Sequence, residues 1–197
     1  RLNSVKSLDA LQEVIRSDQT ISDQVRQQTL EWSPLFWADR ADPVAALKKF
    51  GTRTQPTGIP KIEQDKQGDV VAVSLANNGR ITDAGLVYLT GLATLQRLRL
   101  SDTGVTSAGL VHLKGLTNLK DLRIDGTQIT DAGLVHLAGL INLEKLRLSD
   151  TQITDAGLVH LKGLTNMTTI NLRETKVTDA GVAALQKVLP NCKIRRY

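Results

Sequence analysis

Cysteine, aromatic residues and long apolar runs are all scarce in this sequence, and each shortage excludes something. Among the 197 residues there is one cysteine, Cys192, so no internal disulfide can form. No apolar run reaches the roughly 18 residues that a membrane-spanning helix needs. Aromatics make up 3% of the chain, and Trp32, Phe36, Trp37 and Phe50 all lie in the first fifty residues, leaving Tyr88 and Tyr197 beyond. The two parts of the chain therefore build their cores differently, the first from aromatics and the second from Leu, Val and Ile. The motifs GxSxG, HExxH and GxxxxGK[ST], and any CxxC pair, are missing too, which removes the commonest signatures of hydrolase, metalloprotease and nucleotide chemistry. The chain begins at Arg1 without a methionine or a signal-like stretch, and reads as a piece of something longer.

What is present suits a folded chain: 41% hydrophobic and 23% charged residues. The net charge is +5, with 10 Lys/Arg against 10 Asp/Glu in residues 1–69 and 12 against 10 in residues 70–190. The remaining three cations, Lys193, Arg195 and Arg196, stand in the C-terminal NCKIRRY. Nucleic-acid binding needs clustered phosphate contacts. The excess therefore reads as a solubilising tail, and nucleic acid is not favoured as a partner.

A repeat dominates the rest. Residues 95–118, 119–142 and 143–166 are near-copies with a period of 24, for example LQRLRLSDTGVTSAGLVHLKGLTN. Residues 70–94 and 167–191 are looser copies, as terminal repeats are. Each unit opens with LxxLxL, whose alternation in Leu98 and Leu100 predicts a short strand with one face buried. A turn follows, then an inward residue (Val105, Ile129, Ile153 or Val177), then Thr-Asp-Ala-Gly-Leu. Thr130 is expected to cap a short helix, with Asp131 in its first turn. Leu134, Leu137 and Leu140 mark its inner stripe. Gly139 and its counterparts Gly91, Gly115 and Gly163 fall where that helix must end.

These blocks resemble the leucine-rich-repeat family, in its ribonuclease-inhibitor-like and cysteine-containing branches. Unbroken TDAGLxxLxGLxNL also looks like repeat proteins of environmental bacteria. The resemblance covers Val70 to about Asn191. It implies an α/β solenoid, a right-handed superhelix with parallel strands on the concave side and helices on the convex side. One departure is plain: where the family carries Asn or Cys after the strand, only Asn78 keeps Asn, and the others are Thr103, Thr127, Thr151 and Thr175. A threonine ladder can still bond neighbouring backbone groups. Extracellular members often have disulfide-capped ends, so the lone cysteine slightly favours the cytoplasm, with a bacterial envelope or secreted location left open.

The ends read differently. Residues 1–51 are expected to form a helical cap or small lobe, with Asp42, Pro43 and Gly51 framing its last helix. Trp32, Phe36 and Trp37 read as the core of that cap, with an exposed aromatic anchor as the alternative. Residues 52–69 read as a linker and a capping hairpin strand that covers the edge of the first repeat strand. Residues 192–197 read as a terminal strand and basic tail.

No residue set stands out for catalysis, metal or cofactor, and the chain reads as non-catalytic. His112, His136 and His160 recur in register. Helix axes lie roughly 8–10 Å apart and zinc–nitrogen bonds are about 2 Å, so the column reads as a product of duplication. Asp83, Asp131, Asp155 and Asp179 read as caps. The sheet face is more informative. Its outward columns run Ser74, Arg99, Arg123, Arg147, Asn171; then Ala76, Ser101, Asp125, Ser149, Arg173; then Asn77, Asp102, Gly126, Asp150, Glu174. With Arg97 and Lys145 beside them, the candidate partner-binding residues are Arg97, Arg99, Asp102, Arg123, Asp125, Lys145, Arg147, Asp150, Asn171 and Arg173. The arginines offer forks for a partner's carboxylates, and the acids offset their mutual repulsion. Arg123→Glu is then expected to weaken partner binding with little change in melting temperature.

The leading expectation is a module that binds another protein, monomeric with weak self-association through a strand edge as an option. The alternatives are a regulatory or targeting domain of a larger kinase or hydrolase, and weak binding of nucleic acid or an anionic surface by the basic tail. Five strands at about 4.8 Å span about 24 Å, and each exposed strand is roughly 15 Å long, so the projected sheet is on the order of 400 Å², short of the roughly 800 Å² per partner of a standard interface.

Overall fold

The computed structural model describes residues 60–197. The helical stretches expected before residue 52, the Trp32, Phe36 and Trp37 cluster and the linker lie outside the described residues, apart from Pro60. From Pro60 onward the chain is a leucine-rich-repeat solenoid. Its sheet has seven strands in sequence order: β1 (Lys61–Gln64), β2 (Val70–Ser74), β3 (Arg97–Arg99), β4 (Asp121–Arg123), β5 (Lys145–Arg147), β6 (Thr169–Asn171) and β7 (Lys193–Arg195). β1 pairs antiparallel with β2, and every later pair is parallel. A turn at Asp65–Gly68 closes the first hairpin, with the Asp65 carboxylate accepting from the Gln67 and Asp69 amides.

Leucine spacing builds this architecture. The middle residue of β3 to β6 (Leu98, Leu122, Leu146, Ile170) points inward and is fully buried, and Ile194 of β7 is half-buried. The other two leucines of LxxLxL, such as Leu95 and Leu100, bury on either side of it. Across the core of the three central repeats stand Leu110, Leu113 and Leu116 and their equivalents, all without solvent exposure except Leu158, while in the outer repeats Leu92 and Val182 are half-buried and Val188 is exposed. Each Leu removed from water contributes about 1.5–3 kcal/mol, so one unit gains little until its neighbours cover it.

The helical side is tighter than the sequence suggests. Only three α-helices occur among the described residues: α1 (Asp83–Leu86), α2 (Asp131–Leu134) and α3 (Asp179–Val188). The chain passes from α1 and α2 straight into 3-10 turns, and in two units a 3-10 helix alone remains, Gly109–Leu113 and Gly157–Leu161. A 24-residue unit leaves too few residues for a full helix, and 3-10 geometry spans more length per residue.

Asp83, Asp131 and Asp179 stand in the first turns of their helices, as expected, but only one of the threonines that precede an α-helix caps it with its side chain. Thr82 and Thr130 make no side-chain cap bond; Thr178, at the start of the longest helix, accepts from the Gly181 amide. The aspartates also reach into the following repeat. Asp83 accepts from both the amide and the hydroxyl of Thr106, at 2.8 and 2.6 Å. Asp131 does the same with Thr154, and Asp155 with Thr178. Where Ser107 replaces the aspartate, its hydroxyl takes the Thr130 amide at 2.9 Å. A second row of stitches runs through the asparagines: Asn118, Asn142 and Asn166 each donate to a carbonyl of the preceding repeat, Ala93, Thr117 and Ile141. The threonines after the strands bond within their own unit, each hydroxyl donating to the carbonyl three residues back at 2.6 Å.

The C-terminal end is closed by side chains. The Gln186 amide donates to the carbonyls of Leu189, Pro190 and Cys192. Asp179 is bound by Arg196 and the Tyr197 hydroxyl. NCKIRRY thus holds a strand, as expected, whose cations stay exposed. Lys193 and Arg195 lie in β7, in register with Thr169 and Asn171.

Candidate binding face of the sheet

Because strand side chains alternate, the register that buries Leu98, Leu122 and Leu146 turns their neighbours outward. Two columns result. One runs Ser74, Arg99, Arg123, Arg147, Asn171, Arg195; the other runs Ala72, Arg97, Asp121, Lys145, Thr169, Lys193. Sorted by strand, the charge alternates. β3, β5 and β7 each carry two cations: Arg97 with Arg99, Lys145 with Arg147, and Lys193 with Arg195. β2, β4 and β6 carry none in net: Ala72 with Ser74, Asp121 with Arg123, and Thr169 with Asn171.

Some of these charges are already engaged. Arg123 closes a fork onto Asp121 on its own strand, Nε to Oδ1 at 3.2 Å and a terminal nitrogen to Oδ2 at 3.1 Å. The carboxylate is 14% exposed, and its hydrogen bonds hold the guanidinium protonated more firmly than usual. Arg147 meets Asp125 at 3.3 Å. Asp125 also accepts from the Ser149 amide and the Ser101 hydroxyl, so it ties three repeats together. Glu63 and Arg97 bridge over Ala72, the small residue paired with both. The side chains of Arg99, Lys145, Lys193 and Arg195 have no ion pair or hydrogen bond among the described residues.

The sheet thus brings together Arg97, Arg99, Arg123, Lys145, Arg147 and Asn171. Asp102, Asp125, Asp150 and Arg173 follow the strands, and of these only Asp125 reaches the face, through Arg147. Asp102 and Asp150 have φ of 56° and 53°, in company with Asn77, Gly126 and Glu174. This left-handed turn position favours Gly, Asn and Asp, so backbone geometry explains the column, apart from Glu174, without any need to balance the arginines. Arg173 is taken up by the Tyr197 carbonyl. Two members of the face, Lys193 and Arg195, were expected in a terminal strand and basic tail but not assigned to the face, because their strand lies past the last leucine repeat. Asp121 was readable, since it occupies the Arg97 and Lys145 position of an ungapped repeat.

The helical side offers less. Val111, Val135 and Val159 repeat there at 41%, 47% and 49% exposure. His136 Nδ1 is buried without a hydrogen-bond partner, and burial, followed by the nearby Lys114 charge, lowers the imidazole's pKa. Among the described residues no three His, Cys, Asp or Glu side chains are placed to share a metal ion. Burial pushes the Cys192 thiol up, away from the thiolate that a nucleophile requires. No described helix is long and apolar enough to cross a membrane.

Comparison with known proteins agrees with the fold. The family described as Leucine Rich repeats (2 copies) matches residues 141–186, and that described as Leucine Rich repeat matches residues 115–138. No curated protein matches the chain. Among solved structures, the chain is similar to an internalin (inlF) from Listeria monocytogenes, with 28% identity and a TM-score of 0.54, over 64% of this chain and 34% of the internalin. It thus spans about a third of that relative's length. It is also similar in fold to the PEPR1-AtPEP1 structure, at 16% identity and a TM-score of 0.50, over 79% of this chain and 24% of the other.

Proposed function

We propose that this leucine-rich-repeat chain is a non-catalytic protein-interaction module that takes its partner on the outward face of the sheet. The observation that carries the reading is the set of cations on β3, β5 and β7 that no described residue engages: Arg99, Lys145, Lys193 and Arg195. Leucine-rich-repeat proteins bind other proteins, and the fold supplies a rigid ladder on which such charges are held in register. Arg97, Arg123 and Arg147 flank the free cations. Asn171 lies on the face with them, and Asp102, Asp125, Asp150 and Arg173 border it.

The test uses residues whose loss leaves nothing unpaired. Arg99→Glu with Lys145→Glu is expected to abolish capture of the partner from an extract of the source cells while the melting temperature holds. Undiminished capture would overturn the reading. Arg123→Glu is the poorer probe, contrary to what the sequence suggests. It would set two carboxylates side by side and strip Asp121 of its partner, so it is expected to lower stability by about 1–3 kcal/mol as well.

A further inference from the structure

The alternation of charge by strand has a spacing, and the spacing selects a ligand. Resting on the reading of the sheet as a partner-binding face, we infer that the element seated on it is an acidic segment in the polyproline II conformation, with a carboxylate at every third residue. Strands lie about 4.8 Å apart, so the paired cations of β3, β5 and β7 form three bars about 9.6 Å apart, separated by the neutral β4 and β6. The outer bars are about 19 Å apart. A polyproline II segment returns to the same face every third residue and advances about 9.3 Å in doing so. Carboxylates at positions i, i+3 and i+6 then span about 18.6 Å, one per bar. A β-strand repeats its face at about 6.7 Å and falls out of step at the second bar. An α-helix places same-face neighbours about 5–6 Å apart, and its seven-residue return of about 10.5 Å overshoots by about 2 Å across three bars.

The surroundings confine such a segment to this path. Within each bar two cations flank the middle residue of the strand; on β7 neither has a partner among the described residues, and on β3 and β5 the carboxylate meets Arg99 and Lys145 beside Arg97 and Arg147, which already hold Glu63 and Asp125. Asp102, Asp125 and Asp150 follow the strand ends and repel an anion that drifts toward the turns. A nucleic-acid duplex presents a charge about every 1.7 Å of its axis. It would press phosphates onto the neutral bars, where the half-buried Asp121 opposes them. An anionic membrane is equally continuous.

The experiment compares two labelled nine-residue peptides of identical composition, PEPPEPPEP and PPEPEPEPP, by fluorescence anisotropy with the full chain at low ionic strength. Both are proline-rich and carry three glutamates; only the spacing differs. The three-residue isomer is expected to bind at least about tenfold more tightly, a difference of about 1.4 kcal/mol. Arg99→Gln with Lys145→Gln and Arg195→Gln, one cation from each bar, should erase that difference at an unchanged melting temperature. Equal affinity of the two isomers would overturn the inference. So would binding of an oligothymidylate or of phosphatidylserine vesicles as tight as that of the spaced peptide, because the face would then read charge density alone. If the peptides fail while Arg99→Glu with Lys145→Glu still abolishes partner capture, the acidic-segment inference falls and the interaction module stands. If capture is also indifferent to that variant, both fall.

Discussion

Gly157 and Gly163 belong to the same repeat and answer to different constraints. A Cβ built on Gly157 would lie 2.3 Å from the Asp131 carboxylate oxygen, whereas one on Gly163 would meet nothing within 4 Å. Gly109 and Gly181 repeat the first case, against Asp83 and Asp155. The glycine of TDAG is therefore the room that the preceding repeat's aspartate needs to reach the threonine. The later glycine is expendable: among Gly91, Gly115, Gly139 and Gly163, only Gly91 has a left-handed φ, at 93°. Gly157→Ala is expected to cost about 1–3 kcal/mol, as overpacking does. Gly163→Ala should gain about 0.4–1 kcal/mol by restricting the unfolded chain. Denaturant midpoints of the two variants check the contrast, and equal shifts would refute it.

Short helical turns cannot hold themselves, and the stitches between repeats compensate. Each of Asp83, Asp131 and Asp155 spends both carboxylate oxygens on the next repeat's threonine. For Asp155 the Thr178 hydroxyl, followed by the Thr178 amide, holds the carboxyl below its usual value. A carboxyl lowered in the folded state contributes stability that is in place above its unfolded value, about 3.9. That contribution is lost as pH falls through the lower folded value. Asp155→Asn keeps the shape of the stitch and removes its titration. The variant's stability should therefore fall less between about pH 4 and pH 2 than that of the parent. Parallel acid-denaturation curves would count against the stitch.

At the scale of the whole molecule, the sheet is long and narrow. The axes of the outer two of its seven strands, at about 4.8 Å per spacing, are about 29 Å apart, and a three-residue strand is only about 10 Å long. That ribbon is well below the roughly 800 Å² of a standard protein interface, and it suits a linear segment better than a globular face. Its last strand also guards an edge. β7 accepts the Leu172 amide on the Arg195 carbonyl and donates the Lys193 amide to the Thr168 carbonyl, while its charged side chains oppose pairing with another chain. Deleting residues 192–197 would leave the β6 edge open and Asp179 without Arg196 or Tyr197. The shortened chain is expected to self-associate in sedimentation velocity and to melt earlier; a monomer of unchanged melting temperature would contradict this.

Much of this was legible because a repeat states its own geometry. The 24-residue period and the alternation of Leu98 and Leu100 determined the solenoid, the register of the strands and which side chains face outward, since side-chain direction follows strand position alone. The arginines at 97, 99, 123 and 147 and Lys145 were assigned to the face on that basis. Only the tertiary structure decided which of those charges are free. Arg123 folds back on Asp121, Arg147 reaches Asp125 across a repeat boundary, and Arg97 crosses β2 to Glu63. Such pairings depend on side-chain reach and on turn geometry, which periodicity does not encode. The structure likewise placed Lys193 and Arg195 on the sheet, because a strand without its own leucine repeat forms only when a neighbour offers it an edge. It also made the TDAG aspartates stitches to the next repeat, a contact that exists only once two repeats are stacked.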